Sequence, residues 1–380
     1  MSAPFAAQHA DLARLEARGR LRMLAPRAGI DFASNDYLGL AASPELAAAI
    51  AAALARGVPV GSGGSRLLRG NHPEHEALEA EAADFFGSEA ALFLATGYAA
   101  NSALLSTLPQ RGDLVLADEL IHASSHEGLR LTRAAHRFFA HNDIAACEAA
   151  IAQWQGEGGK GRVWIAIETL YSMDGDFAPL AGLSALALRT GAVLIADEAH
   201  ATGVFGPGGR GLVATLPTRA HVISLHTCGK ALGVEGALLC GPVVLRACLI
   251  NRARGFIFST APSPLIAAGL RAALRLIAAG DALRTELAAR IALAERLLLP
   301  LGAQGHGAPI LPLVLGDDRR TMGVAARLQQ AGFDIRGIRP PTVPPGTSRL
   351  RIVITRNAAP ADITALAAAL GPVLAGDARA

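Results

Sequence analysis

The sequence predicts an α/β protein with a mostly parallel central sheet, followed by a smaller α+β domain. Between residues 73 and 196, short apolar strands alternate with helical patterns, which is typical of parallel strands joined by crossover helices. Beyond residue 285 the alternation stops, and strands and helices surround a proline-rich loop. We therefore divide the chain into an N-terminal arm and helix (1–45), a large domain (46–285) and a small C-terminal domain (286–380).

The individual elements are predicted from apolar periodicity and from Gly and Pro punctuation. A polar helix (12–22) and an alanine-rich helix (44–54) come first. The alternating part is predicted as helices at 73–86, 98–107, 123–133, 143–153 and 180–189 and as strands at 90–95, 113–117, 136–140, 162–167 and 192–196. One further strand begins at Val222 and ends before residue 228, and another covers 236–239. Helices are predicted at 242–252, 263–279 and 282–300. The small domain is predicted as strands at 310–315, 333–337 and 348–354 and helices at 320–331 and 360–374.

Composition excludes several classes of protein. A chain of 380 residues that is 51% hydrophobic can bury a large core, so disorder is excluded. The net charge of +3 comes from intermixed acids and bases, which predicts no nucleic-acid partner, and no apolar run is long enough to predict a membrane span. The four cysteines form no C-x-x-C pair, and repeated charges near the N-terminus argue against a signal peptide. We expect a cytoplasmic protein that acts on small molecules.

The stretch from Val222 to Cys240 contains one of only two lysines, Lys230; the other is Lys160 in a glycine-rich loop. Arginine supplies almost every other positive charge. A guanidinium stays protonated, whereas an amine can lose its proton and act as a nucleophile or base. Lys230 follows a short apolar strand and a polar turn, so the sequence predicts a Schiff-base lysine for an aldehyde cofactor, pyridoxal 5'-phosphate. Lys160 is better explained as a surface residue.

Three predicted strand ends carry the groups that such a cofactor needs. The turn around Gly97 opens a helix, where free N–H groups and the helix dipole favour a phosphate. Asp197 ends the buried strand at 192–196 and can keep the ring nitrogen protonated. Lys230 follows the third strand. His200, three residues after Asp197, is at this point equally consistent with a structural histidine.

Other chemistries fit the sequence less well. His122 and His126 have a zinc-like spacing, but the expected glutamate and a third ligand are missing. No G-x-S-x-G motif predicts a serine hydrolase. The glycine-rich segment at 61–66 lacks the preceding strand that a dinucleotide fingerprint requires. We therefore expect no metal site.

Several motifs together resemble the α-oxoamine synthases, a family of fold-type-I pyridoxal phosphate enzymes. The resemblance runs from about residue 12 to residue 375. The motifs are SNDYLG at 34–39, GSGGSR at 61–66, SMDGD at 172–176, DEAHATG at 197–203, TCGK at 227–230 and RLR at 349–351. The resemblance implies the aspartate aminotransferase-like fold. The loop IRPPTVP at 338–344 is similar to the members of the family that act in biotin synthesis.

The resemblance also implies a role for each matching residue. Lys230 holds the cofactor, Asp197 pairs with the ring nitrogen, and His122 stacks on the ring. Ser172 and His200 lie at the ring hydroxyl. The residues implied to hold the phosphate are Gly97, Tyr98 and Thr227, with Ser259 and Thr260 reaching it from a partner subunit. The residues implied to bind substrates are Arg351 for the amino-acid carboxylate and Arg22, Arg339 and Thr342 for the acyl group.

The implied reaction joins L-alanine to a pimeloyl thioester carried by coenzyme A (pimeloyl-CoA) or by acyl carrier protein, with loss of carbon dioxide. The implied assembly is a homodimer with active sites at the subunit interface. Two related activities stay open, glycine C-acetyltransferase and 5-aminolevulinate synthase, which use glycine. A binding protein that keeps the fold without catalysis is a third alternative, and the intact lysine, aspartate and histidine argue against it.

Overall fold

The computed structural model describes residues 4–377, and the strands and helices below are those of this part of the chain. The strands are β1 (Ile30–Asp31), β2 (Ala90–Leu94), β3 (Leu114–Asp118), β4 (Ala135–Phe139), β5 (Val163–Glu168), β6 (Val193–Asp197), β7 (Val222–Thr227), β8 (Ala237–Gly241), β9 (Ile310–Gly316), β10 (Phe333–Asp334), β11 (Arg336–Ile338) and β12 (Ser348–Val353). The helices are α1 (Ala6–Ala17), α2 (Pro44–Ala55), α3 (Pro73–Phe86), α4 (Gly97–Thr107), α5 (Ala123–Leu131), α6 (Ile144–Gly156), α7 (Leu180–Thr190), α8 (Val243–Arg252), α9 (Arg254–Ile257), α10 (Pro264–Ala278), α11 (Asp281–Leu298), α12 (Asp318–Gln330) and α13 (Pro360–Asp377). No helix in residues 4–377 is both long enough and apolar enough to cross a membrane.

The chain forms two compact units. The larger unit contains Asn35–Ser172 and Asp176–Thr285. The smaller unit contains the chain up to Ser34, the three residues Met173–Gly175, and the chain from Glu286 onward. The division into an arm, a large domain and a small domain at residues 45 and 285 stays a prediction.

The larger unit is built on a seven-stranded sheet with the strand order β2-β8-β7-β6-β5-β3-β4. Only β8 runs against its neighbours; β2 and β7 both pair with it in the antiparallel sense. The strands β7, β6, β5, β3 and β4 are parallel to one another. This arrangement confirms the predicted α/β class. The carboxyl ends of β5, β6 and β7 consequently lie side by side at one edge of the sheet.

Alternate residues of the strands fill two separate apolar layers, one on each face of the sheet. On β3, Val115 and Ala117 join the layer that includes residues of α4 and α5. Leu114 and Leu116 join the layer that includes residues of α6 and α7. Because helices cover both faces, the inner strands β3, β5 and β6 are apolar over most of their length, as expected for a parallel sheet, whereas the edge strand β4 has exposed residues.

The smaller unit contains a three-stranded antiparallel sheet in the order β11-β12-β9 and a separate parallel pair of β1 with β10. On β12, Arg349 and Arg351 alternate with buried Leu350 and Ile352. Arg351 lies opposite Arg336 of β11 and Pro312 of β9. The predicted α+β composition of this part is confirmed.

Two elements differ from the sequence prediction. The polar helix expected at 12–22 instead spans Ala6–Ala17. It ends there because Gly19 adopts a left-handed conformation, with φ of 64°, that terminates helices. The strand expected at 333–337 is divided at Ile335, since β10 pairs with β1 whereas β11 pairs with β12. The two-residue strand β1 is too short to produce a periodic signal and was not predicted.

Candidate active site

The carboxyl ends of three adjacent strands bring polar side chains together in the larger unit. β5 ends at Glu168, β6 at Asp197 and β7 at Thr227. Glu168 and Asp197 are neighbours in the register of the parallel pair, as are Asp197 and Leu225. Ligands of open α/β sheets bind at this edge, because the helix N-termini and loops converge there.

Asp197 is buried and held by two N–H donors. Its Oδ2 accepts a hydrogen bond from Asn101 Nδ2 at 2.7 Å, and its Oδ1 accepts one from the Ala199 backbone at 2.9 Å. Asn101 Nδ2 also lies 3.0 Å from Ser124 Oγ. Ser124 Oγ in turn lies 2.7 Å from His122 Nδ1, which also accepts the Ser124 backbone N–H and so caps α5. Donors of this kind favour the charged form of a carboxylate.

Lys230 lies on the half-buried turn between β7 and β8 and contacts a histidine. A hydrogen bond of 2.9 Å joins its Nζ to His200 Nε2. The other ring nitrogen of His200 is 2.5 Å from the Tyr37 hydroxyl. The turn is fixed by backbone hydrogen bonds from Val234 to Cys228 and from Gly233 to Lys230. His200, which the sequence left open, therefore touches the lysine amine.

The N-terminus of α4 lies against the end of β7. Thr96 caps the helix by accepting the Ala99 N–H, and Gly97 and Tyr98 are the first helical residues. Their N–H groups have no acceptor within the helix. A Cβ at Gly97 would lie 2.4 Å from Thr227 Cγ2, so only glycine allows this approach. Thr227 Oγ1 is buried and has no hydrogen-bond partner among residues 4–377, while Tyr98 is largely exposed.

His122 and Ser172 border the same strand ends. Loss of water around the His122 ring and the nearby charge of Lys230 lower its pKa, although part of the residue is exposed and Asp197 acts in the opposite direction. A flat, neutral imidazole suits stacking on an aromatic ring. Ser172 is buried on the loop after β5, where its backbone N–H donates to Glu168 Oε2 at 3.1 Å.

The predicted phosphate residues Ser259 and Thr260 lie on an exposed segment after α9. They line a small cavity together with Ala95 and Ala99, which flank the start of α4. Their reach to a partner subunit's cofactor stays a prediction. Within residues 4–377, no three His, Cys, Asp or Glu side chains are grouped to hold a metal ion.

The remaining predicted site residues belong to the smaller unit. Arg22 Nη2 donates to Thr342 Oγ1 at 3.4 Å. Arg339 donates to the backbone carbonyl of Gly19. Partial burial and the charges of Arg22 and Arg20 lower the pKa of Arg339, while Asp318 opposes them. Arg351 is buried on β12. Positive charge is therefore concentrated around Arg339.

Sequence reasoning did not assign a role to several residues that contact the predicted ones. Asn101 holds Asp197, Ser124 links Asn101 to His122, and Tyr37 holds His200. Tyr37 lies in the SNDYLG motif, and Asn101 lies in α4, the helix that the turn around Gly97 opens. Nothing in a single sequence shows which distant side chain each one contacts.

These groups fit pyridoxal phosphate. The unpartnered Thr227 hydroxyl and the glycine at the start of α4 suit a phosphate. The buried carboxylate of Asp197 suits a protonated ring nitrogen, and Lys230 supplies an amine for covalent attachment. Residues 27–370 match the family described as aminotransferase class I and II. Fold and site together define a pyridoxal phosphate-dependent enzyme of fold type I.

Similar proteins identify the family within this class of enzymes. A protein of Anaeromyxobacter dehalogenans named 8-amino-7-oxononanoate synthase is 41% identical, over 96% of this chain and 94% of its own. The chain belongs to the 8-amino-7-oxononanoate synthases, acyltransferases of the α-oxoamine synthase family.

Solved structures agree with this assignment. A serine palmitoyltransferase structure with bound pyridoxal phosphate superimposes with a TM-score of 0.89 at 25% identity, covering 98% of both chains. An 8-amino-7-oxononanoate synthase from Francisella tularensis gives a TM-score of 0.77 at 26% identity, covering 92% of this chain and 99% of the other.

Proposed function

We propose that this chain condenses L-alanine with a pimeloyl thioester to give 8-amino-7-oxononanoate, carbon dioxide and a free thiol. The observation that carries the proposal is the contact of Lys230 with His200 beside Asp197, in a chain with 41% identity to a synthase of that name. A carbon–carbon bond forms between the α-carbon of alanine and the thioester carbonyl, and the thiolate leaves. The carboxylate of alanine is lost as carbon dioxide, and the α-carbon takes up a proton.

Lys230 and Asp197 provide the central chemistry in this proposal. When bound, pyridoxal phosphate supplies an aldehyde for the amine and a ring that accepts the electron pair left at the α-carbon. Lys230 holds the cofactor and, once released, takes the α-proton as a base, a task for which arginine is unsuited. His200 orients the lysine amine through their 2.9 Å hydrogen bond. Asp197 supplies the negative charge that keeps the ring nitrogen protonated.

The other residues of the larger unit bind and orient. His122 packs its flat ring against the cofactor, and Ser172 lies at the ring hydroxyl together with His200. Gly97, Tyr98 and Thr227 bind the phosphate through backbone N–H groups and the Thr227 hydroxyl. Ser259 and Thr260 contribute to the phosphate site across a dimer interface. We propose a cytoplasmic homodimer, consistent with four free cysteines among the described residues.

The substrates are assigned to arginines of the smaller unit. Arg351 forks two hydrogen bonds onto the alanine carboxylate, because a guanidinium matches a carboxylate in shape and charge. Arg22, Arg339 and Thr342 bind the acyl group, whose far end is a carboxylate. The Arg22–Thr342 hydrogen bond and the crowded charge at Arg339 support this second assignment.

A substrate panel tests the proposed function. Purified enzyme is mixed with alanine, glycine or serine and with pimeloyl, acetyl or succinyl thioesters, and thiol release is followed. We expect the largest kcat/KM for alanine with a pimeloyl thioester. Coenzyme A and acyl carrier protein are compared as carriers in the same assay. A preference for glycine with acetyl or succinyl thioesters would replace the proposal with a related activity, and no thiol release with any pair would refute it.

A further inference from the structure

Glu168 is a fully buried acid that has no role in the reaction described above. It ends β5, and its Cα is the register neighbour of Asp197 on β6. Residues side by side in a parallel pair project to the same face of the sheet. The structure therefore puts a second carboxyl group beside the one assigned to the cofactor ring.

The two carboxyl groups have unlike surroundings. Both oxygens of Asp197 accept N–H donors, from Asn101 and Ala199. Glu168 Oε2 accepts the Ser172 backbone N–H, but its Oε1 is buried and has no hydrogen-bond partner in the described part of the chain. A buried carboxylate oxygen without a donor is costly, whereas a protonated carboxyl needs less compensation. The geometry alone thus favours charge on Asp197 and a proton on Glu168.

The charged groups around Glu168 act in the same direction on balance. Burial and then the charge of Asp197 raise its pKa to about 8, while Lys230 opposes them. The other titratable neighbour is Tyr171 on the loop after β5, whose pKa is raised by its own burial, by Asp118 and by Glu168. The geometry and the direction of this shift therefore both favour a proton on Glu168 near pH 7.

We propose that Glu168 is a positioning residue that stays neutral while the enzyme works and leaves Asp197 as the charged member of the pair. Loss of the Glu168 proton adds a buried negative charge within the field of Lys230, which holds a proton on that amine and removes the base. The reaction is then limited on its alkaline side by Glu168. This inference rests on the proposed roles of Lys230 and Asp197.

The first test measures the proton itself in the cofactor-free protein. An infrared difference spectrum between pH 7 and pH 9 reports protonated carboxyl groups that ionise in this range. We expect the signal to shrink in Glu168→Gln, which keeps the size and neutrality of the protonated acid. Glu198→Gln is the matched control: Glu198 is also fully buried, directly after the end of β6, and burial raises its pKa to about 8, so its replacement should remove a separate part of the signal and leave the part lost in Glu168→Gln.

The second test follows exchange of the alanine α-proton with deuterated solvent by the cofactor-loaded enzyme, without any thioester. Because burial raises the pKa of Glu168 to about 8, its proton is lost as the pH rises from 7 to 9, and exchange by the parent enzyme should decline severalfold over this range. Glu168→Gln should exchange within about twofold of the parent at pH 7 and lose this decline. Glu168→Ala leaves a cavity in place of the side chain. A loss of exchange in this variant that Glu168→Gln does not share would report the structural contribution of the side chain.

The outcomes separate the inference from its alternatives. An alkaline decline that persists in Glu168→Gln and disappears in Glu198→Gln would assign the proton to Glu198 and overturn the proposal. An infrared signal unchanged in Glu168→Gln would overturn it as well. If alanine exchanges its proton as expected but no pimeloyl thioester is used, the proposed function fails while the role of Glu168 stands.

Discussion

Lys230 and Lys160 carry the same amine in different surroundings. Lys230 is half-buried and contacts His200, whereas Lys160 is exposed in a glycine-rich loop. A desolvated amine beside an imidazole can act as nucleophile and base, while an exposed ammonium at ordinary pH cannot. The proposed chemistry therefore depends on one residue whose side-chain type is otherwise almost absent from the chain.

Replacement of this lysine tests its role directly. Lys230→Ala should lose the visible absorbance of bound cofactor after desalting and should lose thiol release. Lys160→Ala should keep both, because its side chain lies in solvent. Absorbance after gel filtration and turnover measure the effect. Covalently retained cofactor in Lys230→Ala would exclude Lys230 as the point of attachment.

Arg351 and Arg339 should affect different substrates. A lysine cannot reproduce the bidentate geometry of a guanidinium on a carboxylate, so Arg351→Lys should weaken alanine binding. A lost charge-assisted hydrogen bond costs roughly 1.5–3 kcal/mol, or about one to two decades in affinity. Arg339→Ala should instead raise the KM for the thioester. Spectral titration with alanine and thioester kinetics distinguish the two, and a reversed pattern would exchange the two assignments.

At the level of elements, the proposed phosphate site depends on how closely α4 approaches β7. The helix begins at Gly97, and the Thr227 side chain fills the place where any larger residue would project. The free N–H groups of the first helical turn and the helix dipole then lie close to the Thr227 side chain. Many helix N-termini could bind a phosphate. The N-terminus of α4 is distinguished from the others by its contact with β7, the strand that precedes Lys230.

Gly97→Ala should therefore weaken cofactor binding. The added Cβ would lie 2.4 Å from Thr227 Cγ2, and overpacking of this kind costs about 1–3 kcal/mol. If the loss falls on the bound state, the Kd of pyridoxal phosphate rises by roughly one to two decades. Gly323→Ala is the matched control, because that glycine lies inside α12 with nothing within 4 Å of the added Cβ. The control should gain about 0.5–1 kcal/mol of stability without a change in Kd. A Gly97→Ala variant with both the stability and the cofactor affinity of the parent would contradict the close approach.

On the scale of the whole molecule, an ion network outside the catalytic groups links parts of the larger unit. His141 Nδ1 lies 2.9 Å from Asp118 Oδ1 and its Nε2 lies 2.8 Å from Asp176 Oδ2. These bonds overcome the effect of burial and raise the pKa of His141 to about 10. In the unfolded chain the pKa of His141 is near 6.5. Between this pH and about pH 10 the folded protein therefore keeps a proton on His141 that the unfolded chain has released.

The consequence is a stability that depends on pH. The contribution of His141 is complete below about pH 6.5 and is lost as the pH rises toward 10. His141→Gln should be less stable at neutral pH and should show a smaller decline between these limits. Both tryptophans, Trp154 and Trp164, lie in the larger unit, so their fluorescence during urea unfolding reports on it. A parent and a variant that lose stability in parallel would show that another group causes the decline.

The sequence predicted the α/β class and most elements, because buried parallel strands are apolar throughout and their helices are separated by glycine and proline. The location of Asp197 at the end of one strand and of Lys230 in the turn after another was predicted from the same apolar runs. Element ends were less predictable: α1 ends where Gly19 turns, and β10 separates from β11 because each pairs with a different strand.

What the sequence by itself determined was the local pattern and the residue types; the tertiary structure decided which side chains meet. Strand order cannot be derived from one sequence, because pairing joins segments distant in the chain. The order β7-β6-β5 puts Asp197 between Glu168 and the turn of Lys230, and the packing of α4 brings Asn101 to Asp197. Burial beside Asp197 then raises the pKa of Glu168. A glutamate at the end of one more apolar strand had no distinguishing feature until its neighbour was known.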